Sequence, residues 1–115
     1  MKKIDNKNLP VILKQYNNFH DSSFKNINYD IEKSSISIVF DAVKQIDNNF
    51  VRTNLTLLFT NVKEFKMKEI FSWDFIYDLV LKTETKNNET LFLFSDDINT
   101  PNILILCKEI YIKNK

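Results

Sequence analysis

The sequence contains no glycine, one cysteine and one histidine among its 115 residues. Without glycine it cannot form the glycine-rich loop that cradles phosphate groups, or the sharp turn that carries the nucleophilic serine of a hydrolase. The single cysteine, Cys107, excludes an intramolecular disulfide, and together with the single histidine, His20, it supplies too few ligands for an ordinary zinc site. These absences exclude several common enzyme classes, and we expect no catalytic residues, no metal and no cofactor.

Glycine is also the residue that most readily takes a positive φ, so other residues must do so here. Asparagine and aspartate are the next most tolerant of this left-handed conformation. We therefore expect them at the turns, and the candidates are Asn48, Asn49, Asn61, Asn87, Asn88, Asp96 and Asp97. Abundant lysine and asparagine without glycine is typical of an AT-rich genome, so these counts carry little functional weight.

Long apolar runs are missing as well: no stretch approaches 18 residues, and residues 2, 3 and 5–8 are polar where a signal peptide needs apolar side chains. The formal net charge is +1 with both signs intermixed, which gives no broad field to attract nucleic acid or an anionic membrane. Cys107 lies in the apolar run 103–107 and should pack as a small hydrophobic residue. A free, buried thiol suits a reducing compartment, so we expect a cytoplasmic protein with no nucleic-acid or membrane partner.

Aromatic residues are plentiful, with ten Phe, four Tyr and one Trp, and short alternating runs predict strands. The central prediction is a hairpin formed by residues 27–31 and 36–40 that turns at residues 32–34. The apolar side chains expected on its two matching faces are Ile27, Tyr29 and Ile31 on one strand and Ile36, Ile38 and Phe40 on the other.

A helix is predicted for residues 8–18, because apolar residues recur there at helical spacing and Asn8 can cap its start. Further strands are predicted at residues 51–59, 65–67, 76–83, 91–94 and 103–112, with a loop at 44–49 and a bend at Asn61; residues 69–74 suit a helical turn or a strand. The sum is a single domain over residues 1–115, of the β-dominated α+β class. We expect one N-terminal helix and about seven antiparallel strands in meander order, forming a bent sheet or a small sandwich.

Open sheet edges invite pairing with other chains unless charges protect them. Lys63, Lys66 and Lys68 alternate with apolar residues, so the strand near residue 65 should be an outer edge. Residues 103–106 carry no charge and should be covered, either by the helix or by a second copy of the protein. We prefer cover by the helix and therefore a monomer, with a homodimer as the alternative.

Five residues are candidates for a binding site: His20, Asp21, Trp73, Asp74 and Tyr77. An imidazole beside a carboxylate can act in acid–base catalysis, but adjacent residues of an extended chain point to opposite sides, which favours a structural role for the pair. In that role Asp21 or Ser22 would hydrogen-bond the backbone of the turn. The aromatic cluster around Trp73 suits either the core or a contact surface.

The pattern of an aromatic residue followed by His20 and Asp21, with Leu57–Leu58–Phe59–Thr60–Asn61–Val62 leading to Phe65, resembles a family of small bacterial β-rich proteins. Some members are grouped with the immunity proteins of polymorphic toxin systems. Asn61 stands where the family has glycine in its Phe-x-Gly-Val bend, and asparagine can keep the same left-handed geometry.

The resemblance implies a protein-binding module that neutralises a cognate toxin by occluding it, without chemistry of its own. Two alternatives remain open. The chain could be a small-ligand binder or enzyme with a site between the helix and the sheet, near His20, Asp21 and Trp73. It could also be a structural, self-associating module.

Overall fold

The structure is a computed structural model that describes residues 1–19, 22–67, 75–76, 82–86, 88–94 and 103–114. Helix α1 spans Leu9–Gln15 and a single 3₁₀ turn follows at Asn17–Phe19. The strands are β1 (Lys2–Ile4), β2 (Ser22–Asp30), β3 (Ser35–Ile46), β4 (Asn49–Thr60), β5 (Glu64–Met67), β6 (Phe75–Ile76), β7 (Lys82–Lys86), β8 (Glu89–Phe94), β9 (Ile103–Cys107) and β10 (Glu109–Asn114).

The β-dominated α+β class is confirmed, with one α-helix in the described part of the chain. The predicted number of strands was too low, because nine strands have three or more residues and β6 adds a two-residue strand. The reason why the sequence did not predict two of the additional strands is clear. β1 is only three residues long, too short for an alternating pattern to reveal it, and the run 103–112 divides into two strands at Lys108.

The strands form two antiparallel sheets. The first sheet has the order β1-β10-β4-β3-β2-β6 and the second has the order β5-β9-β8-β7. Meander order holds within β2–β3–β4 and within β7–β8–β9, but a single meander through the whole chain was wrong. The chain leaves the first sheet after β4, builds the second, and returns with β10 to pair beside β4.

A corner connects the two sheets, because β4 continues into β5 around Asn61 while β9 continues into β10 around Lys108. The backbone N–H of Lys63 donates to the carbonyl of Leu106 at 2.8 Å, and that of Lys108 donates to Thr60 at 3.3 Å. Hydrogen bonding therefore persists through the corner. The architecture is therefore two antiparallel sheets connected at this corner.

Phenylalanine rings join the apolar faces of the two sheets. Phe59 of β4 lies 5.2 Å from Phe92 of β8 between ring centroids, and Phe40 of β3 lies 5.8 Å from Phe94. Phe19 approaches both Phe40, at 4.8 Å, and Phe94, at 6.1 Å. One continuous hydrophobic core thus includes residues of both sheets and of the helical segment.

The predicted hairpin is confirmed in its register, since Ile27 pairs with Ile38 and Tyr29 with Ile36. The apolar side chains of its two strands are not equally buried. Ile36 and Ile38 are fully buried, whereas Ile31 is 78% exposed in the turn. The face prediction was therefore wrong for Ile31, because the strand ends at Asp30 before that residue reaches the core.

Helix α1 is shorter than predicted, because Asn17 and Asn18 take positive φ values of 54° and 51° and end the helical region. Asn8 occupies the N-cap position but makes no capping hydrogen bond through its side chain. The carboxylate of Asp5 does so instead, accepting from the backbone N–H of Asn8 at 2.9 Å. Leu9 and Tyr16 bury the apolar face of the helix.

The edge prediction for β5 is confirmed, because β5 is the outermost strand of the second sheet and carries Lys66. Lys68 lies outside the described residues. Residues 103–106 are covered, but the expectation that the helix covers them was wrong. β9 lies between β5 and β8, so neighbouring strands satisfy its backbone, and α1 contacts β3.

Positive φ values occur at two of the predicted turn residues, Asn61 (51°) and Asn88 (62°). Asp47 takes this conformation in place of Asn48 and Asn49, because the β3–β4 turn is tighter than the predicted loop. Ser34, with φ of 51°, was not expected. The candidates Asn87, Asp96 and Asp97 lie outside the described residues.

The left-handed conformation at Asn61 leads to a prediction about the corner. We expect Asn61→Ala to be about 1 kcal/mol less stable than Asn61→Gly, because both variants lack the amide but only alanine strains the backbone. Urea unfolding of the two purified variants measures the difference. Equal stabilities of the two variants would show that alanine adopts the backbone conformation at this corner without strain.

Candidate functional site

The five residues proposed from the sequence, His20, Asp21, Trp73, Asp74 and Tyr77, all lie outside the described residues. The described part of the same region is β6, whose residues Phe75 and Ile76 pair with the start of β2. Ser22 was predicted to hydrogen-bond the turn backbone if Asp21 did not. The Ser22 hydroxyl is buried and has no hydrogen-bond partner among the described residues, and Asp21 lies outside them, so this stays a prediction.

A half-open groove of about 420 Å³ lies between α1 and the first sheet. We call it the helix groove. Its position agrees with the alternative prediction of a site between helix and sheet, although none of the five candidate residues contributes to the lining observed. The lining residues are Lys2, Lys3, Asn8, Val11, Ile12, Gln15, Tyr16, Lys44 and Ile112.

The charge of the helix groove is positive, with three lysines and no acidic residue in the described lining. Lys3 is already paired, since its ammonium lies 3.5 Å from the carboxylate of Glu109. Lys2 and Lys44 have no such partner in the described part of the chain. The groove therefore presents two cations that remain available to an anionic ligand.

The position of Lys44 is set by an aromatic ring. Its ammonium lies over the ring of Tyr16, 5.7 Å from the centroid, which is within the range of a cation–π interaction. Burial raises the pKa of the Tyr16 phenol, so the ring remains uncharged at neutral pH. Lys44 is consequently held at the carboxyl end of the helix without being neutralised.

A second feature is the hairpin end, which we define as residues 42–53 of β3 and β4. Pairing with β2 stops at Asp41 and pairing with β10 stops at Leu55, so within the described structure these residues pair only with each other. Three large apolar side chains are exposed there: Ile46 is 47% exposed, Phe50 is 59% exposed and Val51 is 46% exposed.

Sequence reasoning missed the hairpin end, because residues 44–49 were predicted to be a loop. The structure has a two-residue turn instead, since Ile46 already pairs with Asn49. The sequence did contain a signal for this hairpin, since Ile46 precedes Asp47, and Phe50 and Val51 follow Asn49. They showed apolar residues continuing up to a short polar turn on both sides.

The helix groove and the hairpin end are connected. Val11 of α1 is 59% exposed and lines the groove. It also lines a smaller depression of about 260 Å³ together with Gln45 and Asp47 of the hairpin. A continuous surface therefore runs from the apolar hairpin end, across the helix, into the basic groove.

A third feature is the Glu109 carboxylate at the corner. It accepts hydrogen bonds from the amide of Asn61 at 2.7 Å and from the hydroxyl of Thr60 at 3.3 Å. The Asn61 bond, with the nearby Lys3 ammonium, lowers the pKa of Glu109. Since these partners link β1, β4 and β10, we assign this carboxylate to holding the corner together.

No protein-family model, curated protein or solved structure matches the chain. Among the described residues, no three His, Cys, Asp or Glu side chains are grouped so as to hold a metal ion. The same part of the chain contains no helix with the length and apolar character needed to cross a membrane. The function must therefore be argued from the surface features themselves.

Proposed function

We propose that this chain is a protein-binding module that acts by covering a site on its partner. The observation that carries the proposal is the exposed apolar surface of the hairpin end. Ile46 and Val51 lie on one face of that two-stranded ribbon and Phe50 on the other, because Lys44 pairs with Val51 and Gln45 with Phe50. A ribbon that exposes apolar side chains on both faces within a polar surround offers an interaction site to a partner that encloses it.

The class of partner follows from the resemblance at Phe19, His20, Asp21 and Asn61. We propose that the partner is a toxin domain and that the chain acts as an immunity protein, by occlusion. The free Cys107, fully buried in the core, is in keeping with a cytoplasmic protein, and we propose that the chain binds its partner as a monomer.

The double variant Ile46→Ser with Phe50→Ser tests the proposal. We expect it to bind the partner at least about tenfold more weakly, because truncating central apolar anchors commonly costs 2 kcal/mol or more. The partner is the toxin encoded beside this chain, or the protein captured by the wild-type chain from its source cell. The affinity of the purified pair is then measured by calorimetry.

Ile31→Ser is the matched control, since Ile31 is also exposed but lies in the β2–β3 turn. It should bind as the wild type does. An equal loss in the control, or a double variant that binds normally, would contradict the role of the hairpin end. Sedimentation of both variants addresses self-association: a dimer abolished by the double variant would favour the alternative of a structural, self-associating module.

A small-ligand binder remains the second candidate, and the observation that favours it is the helix groove. Its volume of about 420 Å³ falls within the usual range of ligand pockets, about 300 to 1,000 Å³. Lys44 and Tyr16 would provide its polar contacts. Binding of a small anion without any protein partner would favour this function over the first.

A further inference from the structure

We propose that the helix groove binds an extended acidic segment of the partner protein. This inference rests on the proposed function, and it adds the chemistry of the contact. The groove brings Lys2 and Lys44 to its walls without an acidic residue in the described lining. A carboxylate-bearing segment is the ligand that such a lining complements.

The length of α1, which lies between the two lysines in the groove wall, suggests the form of the segment. Lys44 lies beside Tyr16 at the carboxyl end of α1, and Lys2 lies on the strand that leads into its amino end. The seven residues of α1 span about 10 Å. An extended chain covers that distance in three or four residues, so acidic residues four positions apart can approach both lysines.

The groove also has an apolar lining, because Ile12 lies at the centre of α1 and Ile112 lies on β10 opposite Lys2. In an extended segment, positions one, three and five face the same side. A segment with acidic residues at the two outer positions and an apolar residue at the central one therefore matches the groove. Asn8 and Gln15 can bond its backbone through their side chains.

Two observations favour a protein segment over a small molecule. The groove is half open, so a small ligand would keep much of its surface in water, whereas tight small-molecule sites bury most of the ligand. The groove also continues through the exposed Val11 to the hairpin end. A partner seated on the hairpin end could thus extend a segment into the groove.

The test uses a five-residue peptide with capped ends, with glutamate at positions one and five, leucine at position three and serine between them. Its binding to the full chain is followed by fluorescence anisotropy and by amide NMR shifts. We expect saturable binding that weakens with added salt, and shifts at Asn8, Ile12 and Ile112. A peptide with glutamine in place of glutamate should not bind.

The charge-neutralising double variant Lys2→Gln with Lys44→Gln should bind the peptide about fivefold more weakly or worse, since two ion pairs are lost. Lys33→Gln with Lys86→Gln is the matched control. It changes the net charge equally at two exposed lysines outside the groove lining and should bind normally. An equal loss in the control would show nonspecific attraction and overturn the inference.

Three other results would also overturn it: no binding of the glutamate peptide, equal binding of the glutamine peptide, or equally tight binding of adipate, which would indicate a small-ligand site.

The Ile46→Ser, Phe50→Ser variant separates this inference from the proposed function, because it should retain peptide binding. If the peptide fails while the partner still depends on the hairpin end, only the groove assignment fails. If the peptide binds but no partner depends on Ile46 and Phe50, only the proposed function fails.

Discussion

Replacing Phe40 with alanine is expected to lower the free energy of unfolding by about 4 kcal/mol. Phe40 is fully buried, and its ring contacts Phe19, Phe24 and Phe94 at centroid distances of 4.8, 5.3 and 5.8 Å. Truncation would leave a cavity between the two sheets and remove three aromatic contacts at once. Since small domains are stable by only about 5 to 15 kcal/mol, the loss is a large part of the total.

Urea unfolding measures this loss, and Leu57→Ala gives a comparison within the same core. Leu57 is buried on β4 opposite Ile38, and its truncation should cost about 3 kcal/mol. Lys33→Ala, in the exposed hairpin turn, should change stability by well under about 1 kcal/mol. If Phe40→Ala does not fold, the milder Phe40→Leu still reports on the site. Equal effects of Phe40→Ala and Lys33→Ala would refute the observed strand register.

The elements that the sequence predicted well are those with strong local patterns. The β2–β3 hairpin, the alternating run of β4 and the apolar face of α1 each depend on contacts that recur within a few residues. Asn61 was found for a similar reason, because a chain without glycine has few residues that tolerate a left-handed bend. Such features require no knowledge of distant parts of the chain.

The arrangement of the sheets was not accessible in the same way. That β10 returns to pair with β4, and that Lys2–Ile4 adds a further strand beside it, depends on pairing between residues about 50 and 110 positions apart. The alternation of apolar and polar residues along a strand is the same whichever strand pairs with it. The expectation that α1 covers residues 103–106 failed for this reason, because β5 and β8 already flank that strand.

The residues that line the helix groove were equally inaccessible from the sequence, although a site between helix and sheet was one of the alternatives. Lys2, Tyr16 and Lys44 belong to three different elements and have no common motif, so only the fold brings them together. Sequence reasoning selected residues by chemical type, which led to His20 and Trp73 and passed over ordinary lysines. Lysine is common in this chain, and its position relative to α1 is what gives two of these residues a possible role.

The buried thiol of Cys107 predicts how stability depends on pH. Burial raises the pKa of Cys107 to about 12 from an ordinary value of 9.0; a hydrogen bond with the Glu109 backbone opposes this increase, and the Glu109 carboxylate adds a smaller one. The folded chain therefore keeps the proton at a pH where the unfolded chain releases it. The contribution of the protonated, buried thiol to the free energy of unfolding is fully present below about pH 9, and it is lost as the pH rises from there towards 12.

We expect the free energy of unfolding to fall by about 1 kcal/mol between pH 9 and 10 because of this one group, and by less than about 0.5 kcal/mol between pH 8 and 9, since the slope approaches about 1.4 kcal/mol per pH unit only above the pKa of the unfolded chain. Urea unfolding at pH 8, 9 and 10 measures the slope, and Cys107→Ala is the control that removes the titrating thiol. Alanine lowers stability by a constant amount through the smaller side chain, so the comparison concerns the change with pH and not the absolute value. The range ends at pH 10 because the pKa of Tyr16 is also raised and this phenol would contribute above that point. Parallel slopes for wild type and Cys107→Ala would show that the thiol is not shielded from water in the folded chain.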